Sequence, residues 1–72
     1  MKKISVSLSG HQTSITLEPE FIEALHALVA RDGRPLAQII GEIDENRAAN
    51  TNLSSAVRVW ILNQMILRIA QN

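Results

Sequence analysis

Apolar and polar residues alternate strictly along Lys3-Ile4-Ser5-Val6-Ser7-Leu8, which places Ile4, Val6 and Leu8 on one face of a half-buried strand over residues 3–8. Ser9-Gly10-His11 reads as a turn, with Gly10 available for a positive φ. The alternation resumes over residues 12–17. Thr13, Ile15 and Leu17 point one way; Gln12, Ser14 and Thr16 point the other. A lone strand cannot satisfy its edges or bury its apolar face, so each strand must pair, within the chain or with a copy. The simplest local arrangement is a β-hairpin.

The period then changes to that of helices. Glu18-Pro19 opens a helix over 19–32, because proline suits a first helical position whose N–H has no intrahelical partner. Glu20 and Glu23 suit the positive end of its dipole, and Phe21, Leu25, Leu28 and Val29, flanked by Ile22, form its apolar stripe. Gly33 ends it. Arg34-Pro35 leads into a second helix over 35–46, with Leu36, Ile39, Ile40 and Ile43 at i, i+3, i+4 and i+7. Gly41 inside that helix costs about 1 kcal/mol against Ala, which a close backbone approach could justify. After a polar connection, Asn52 is placed to cap a third helix over 53–70. Val57, Trp60, Ile61 and Gln64 share one side of it; Val59, Leu62, Ile66 and Ile69 share another. A helix apolar around most of its circumference needs cover on more than one side, which favours a dimer.

With 72 residues the chain makes one domain with a small core, and such domains often gain stability by oligomerising. The absence of cysteine removes disulfides and thiolate metal sites. Ser5, Ser7, Ser9 and Gly10 break up any apolar run after Met1-Lys2-Lys3, so no signal peptide is expected. Arg58, Asn63, Gln64 and Arg68 interrupt the last helix too often for a membrane span. The expectation is a cytoplasmic protein. A net charge of zero argues against generic nucleic-acid binding, but its distribution is uneven. Residues 1–17 carry Lys2 and Lys3 and no acid, while every carboxylate lies between Glu18 and Glu45. The β-region is therefore mildly cationic.

Strand, helix, Gly-containing turn and helix is the layout of ribbon-helix-helix DNA-binding proteins, and the chain resembles that family residue by residue. Ile15-Thr16-Leu17 resembles the family's strand, Phe21, Leu25 and Leu28 its first helical core positions, Gly33 its turn, and Leu36 to Ile43 its second helix. The whole is similar to a bacterial subgroup with an extra N-terminal strand and a C-terminal helix opening Asn52-Leu53-Ser54-Ser55-Ala56. The resemblance implies a mainly α fold with a short β-ribbon, in the order β-β-α-α-α, forming an intertwined homodimer. It implies a transcriptional regulator whose paired strands read the DNA major groove, with base contacts from Gln12, Ser14 and Thr16. Phosphate contacts would come from Lys2, Lys3 and Arg34, and from the amides of Leu36 and Ala37 at a helix start. Pro35 stands where the family often has Ser or Thr, and Gln12 where many members are basic. The dimer core would comprise Ile15, Leu17, Leu36, Ile39, Ile40, Ile43 and Trp60.

Other chemistry is expected to be absent. His11 and His26 lie on different elements and read as surface residues, and the Glu42-to-Asn46 cluster lacks the ligand count and glycine of a calcium loop. Trp60 lies in an apolar stripe and reads as core. No Ser/His/Asp arrangement, phosphate loop or zinc motif occurs, so neither enzyme activity, metal nor cofactor is expected. The alternative is a protein-interaction module, antitoxin-like or a structural adaptor, that binds a second protein through the last helix.

Overall fold

The computed structural model describes residues 1–71. Its first elements are β1, Lys2–Leu8, and β2, His11–Leu17, paired antiparallel from Leu8↔His11 at the turn to Lys2↔Leu17 at the open end. Only Ser9 and Gly10 lie between them, at φ 50° and 83°. Positive φ at both central residues defines the type I′ turn, whose twist matches that of the strands it joins. His11, expected in the turn, belongs to β2 instead. Gly10 adopts its φ without penalty, whereas Ser9 carries the cost of a side chain in the left-handed region.

Three helices follow: α1, Pro19–Asp32; α2, Leu36–Asn46; and α3, Leu53–Ala70. Proline starts α1, and Gly33 ends it at φ 84°, its N–H donating to the Val29 carbonyl at 3.0 Å. Pro35 cannot supply a capping side chain to α2; its carbonyl instead accepts from the Gln38 and Ile39 N–H groups at 3.1 and 3.2 Å. In the next connection Arg47 donates to Asp44 Oδ1 and to the Thr51 carbonyl, both at 2.7 Å, folding residues 47–51 back onto the end of α2. Asn52 Oδ1 then accepts from the Ser55 N–H at 2.8 Å, the N-cap the sequence suggests.

The helices form a layer behind the hairpin, α2 against β1 and α3 against β2, with α3 also packed on α1 and α2. The core between the layers contains Val6, Ile15 and Leu17 from the hairpin, Leu25 and Leu28 from α1, Ile39, Ile40 and Ile43 from α2, and Val57 and Ile61 from α3. The inward row of the strands supplies one wall because alternate residues share a face. Ile15, Leu17, Ile39, Ile40 and Ile43, expected at a dimer core, are thus already covered within one chain. Leu36 and Trp60 are only partly buried at its margin. Gly41 also departs from expectation. A Cβ built on it meets only Leu8 Cδ2, at 3.9 Å, so no close approach requires glycine there.

Candidate nucleic-acid interface

The outer face of the hairpin consists of Lys3, Ser5 and Ser7 from β1 and Gln12, Ser14 and Thr16 from β2, all exposed. The register sets them in cross-strand pairs, Lys3 opposite Thr16, Ser5 opposite Ser14 and Ser7 opposite Gln12. Because a two-residue turn makes Leu8↔His11 a hydrogen-bonded pair, these alternate pairs are the non-hydrogen-bonded ones, with Cα atoms about 4.5 Å apart and side chains close together. The face is a patch of hydroxyls and one amide, with a single ammonium and no carboxylate.

The residues expected to meet phosphate fall in two places. Lys2 and Lys3 stand at the open end of the hairpin, exposed. Leu36 and Ala37 begin α2, where their amides have no partner among the described residues, as expected for a first helical turn. Ala37 borders a groove of about 310 Å³ with Ser7, Leu8 and Ser9, near the turn end. Asp44 and Glu45 line the same groove. The two groups therefore flank the polar face from opposite ends and do not converge.

Arg34 is held. Its Nε and Nη2 meet Asp32 Oδ1 and Oδ2 at 2.6 and 3.1 Å, and its Nη1 meets Glu42 Oε2 at 2.6 Å. The Arg34 hydrogen bonds hold the Asp32 carboxyl below its ordinary range, and the two carboxylates push the guanidinium upward in turn. Its charge is spent within the chain, so a phosphate would have to compete for it.

Sequence reasoning missed the part of α3 that grips β2. Ser54 Oγ accepts from the Thr16 N–H at 3.1 Å, and Arg58 Nη2 donates to the Thr16 carbonyl at 3.3 Å. Arg58 Nε also donates to Glu18 Oε1 at 2.9 Å, which is the main reason that the carboxyl is lowered. Both outward backbone groups of Thr16 are thereby occupied on the edge of β2 that faces away from β1. Arg58 gave a signal: a guanidinium between Val57 and Val59 on an apolar helix needs an acceptor.

Among the described residues no group of three or more His, Cys, Asp or Glu side chains could hold a metal ion, and no helix is long and apolar enough to cross a membrane. A polar strand face backed by two helices, with a helix start beside it, defines a ribbon-helix-helix architecture. A ribbon-helix-helix domain model matches residues 1–65, and the chain belongs to that family. No curated protein and no solved structure is significantly similar to it.

Proposed function

We propose that the chain is a sequence-specific DNA-binding protein, a bacterial transcriptional regulator that acts as a cytoplasmic homodimer and reads the major groove with its β-ribbon. The observation that carries this reading is the outer hairpin face, a continuous exposed polar row within a 17-residue stretch that lacks any acid. Gln12 offers a bidentate amide to adenine, and Ser14 and Thr16 offer hydroxyls that serve several bases. Lys2, Lys3 and the free amides of Leu36 and Ala37 would fix the register on phosphates at either end, with Arg34 adding to them when it leaves Asp32. Support for self-association comes from α3, where Val59, Leu62, Ile66 and Ile69 are each more than half exposed.

The test is binding to random-sequence duplex DNA as a function of salt. Lys2 and Lys3 of two copies give a log–log slope of about −3.6, and engagement of both Arg34 side chains would steepen it to about −5.4. Absence of binding at low ionic strength would refute the reading. The same apolar stripe favours a second function, a protein-interaction module with α3 as the partner surface, and a duplex-independent protein complex is the result that would favour it.

A further inference from the structure

We infer that the outer side of α3 is a docking surface for the α3 of a second copy, so that two chains meet through a short helix pair. The inference rests on the homodimer proposed above and adds to it a contact outside the strands. Met1 aside, every exposed large apolar residue among those described lies on α3. Four of these five, Val59, Leu62, Ile66 and Ile69, follow one another at intervals of three, four and three residues. That is the a-d-a-d spacing with which helices pair, each side chain entering a hole on the facing helix. Val59 and Ile66 place β-branched side chains at a, and Leu62 places leucine at d. In parallel coiled coils that combination favours two helices over larger bundles.

The charges beside this seam decide which partner it fits. In helix pairs the flanking e and g positions select the partner through opposite charges. Here they are Asn63 and Ala70 on one flank and Arg58 and Met65 on the other. Arg58 is spent within the chain on Glu18 and the Thr16 carbonyl, and α3 contains no carboxylate. A seam without a free charge on either flank has no means of selecting a charged, unlike helix, and its own copy meets it without repulsion. The surroundings complete the fit. Helix α3 is already ordered by the packing of Val57 and Ile61, so pairing carries little of the ordering cost that makes short free helices marginal. On the α1 side of the seam lies a groove of about 180 Å³ walled by Phe21, Ala24, Ile61, Leu62 and Met65, with Glu20. A cavity of about 150 Å³ takes a benzene ring, so this groove admits one aliphatic side chain of the second copy. On the α2 side Val59 borders a cleft of about 440 Å³ with Ala56, Trp60 and Asn63. A second α3 lying on the seam covers both hollows and closes over the half-buried Trp60.

The experiment measures self-association by sedimentation equilibrium for the unmodified chain, for Leu62→Lys/Ile66→Lys and for Leu62→Glu/Ile66→Glu. All four substitutions fall at exposed positions, and circular dichroism confirms that each variant folds. Each variant alone is expected to raise the dissociation constant about tenfold or more, because like charges then face each other. An equimolar mixture of the two should associate more tightly than either alone, since lysine meets glutamate whichever way the helices run. If both variants keep the unmodified constant, the inference is overturned and the homodimer stands on its other contacts. Loss of association that the mixture does not restore would overturn it as well. If the unmodified chain is monomeric at every concentration, the inference and the homodimer fall together. A second measurement uses the natural lack of cysteine and puts no charge in the seam. Leu62→Cys and Ile66→Cys are oxidised singly and as a mixture, with Ala30→Cys, exposed on α1, as the control. Parallel helices cross-link each variant to itself, and antiparallel helices cross-link the two variants to each other. Rapid cross-linking of either kind is expected, and rates no faster than the control's would overturn the inference.

Discussion

The hairpin and α3 are both two-faced elements, and they differ in what the second face is made of. The hairpin turns Val6, Ile15 and Leu17 to the core and shows the solvent lysine, hydroxyls and an amide. Helix α3 turns Val57 and Ile61 to the core, at 0 and 2 % exposure, yet its outer side carries Val59, Leu62, Ile66 and Ile69 at 53 to 74 %. Folding of the single chain accounts for both inner faces. It accounts for the hairpin's outer face as well, since polar groups need no cover. The outer face of α3 has no such account within the chain, because isolated apolar residues are normal at a surface but a contiguous helical stripe of them marks an interaction surface. The lesson is that folding of one chain finishes the hairpin and leaves the outer stripe of α3 exposed.

The sharpest break in that comparison is a core residue of the hairpin. Leu17→Ala should destabilise the chain by about 2–5 kcal/mol, measured by urea denaturation, because the side chain is fully buried. Trp60→Ala should cost less, about 1–3 kcal/mol, because the ring sits at the core's margin. A larger loss that depends on protein concentration would show that a second copy completes its burial. Gly41→Ala should stabilise by about 0.5–1 kcal/mol, since helix propensity improves and the nearest atom lies at ordinary contact distance. A loss of stability there would mean that another chain packs closely on α2. Ile66→Ser, on the outer stripe, should change the stability of the monomer by no more than about 0.5 kcal/mol. It should abolish any rise of melting temperature with concentration if that stripe is where copies meet.

The smallest effect is expected from acid. Glu18 and Asp32 have carboxyls lowered by Arg58 and Arg34, so each favours the folded state above its unfolded pKa. That contribution is lost as pH falls through the lowered folded value. Starting from ordinary values of 4.5 and 3.8, stability should be flat near neutrality and decline below about pH 4.5. Arg58→Met should flatten the Glu18 part of the decline, and an unchanged acid profile would show that solvent screens the pair completely.

Most of this architecture is legible in the sequence because its signals are local. Strict alternation marks both strands, Pro19 and Gly33 bracket α1, and Asn52 caps α3 through a bond only three residues long. What was not legible depends on distance or on context. The bonds from α3 to Thr16 join residues 38 and 42 positions apart, and no local pattern encodes them. The two stripes of α3 obey the same period and composition, so periodicity identifies both without saying which one the chain covers. The isoleucines of α2, expected in a dimer core, are among ten apolar side chains that a hairpin and three helices already enclose. Of the candidate interface, the outward row was readable from alternation alone. The capture of Arg34 was not, because its partners lie on both sides of the Gly33 turn and meet it only after that turn is made.

That capture gives the chain an internal competitor for anions. Asp32 and Glu42 occupy the guanidinium with two carboxylates, so a phosphate arriving at the start of α2 exchanges one ion pair for another instead of creating one. Added salt then acts on both sides of the exchange, loosening the carboxylate clamp as it screens the phosphate. Arg34 should accordingly contribute less than a full counterion to the salt slope, and Asp32→Asn should raise affinity for random duplexes while making binding more sensitive to salt.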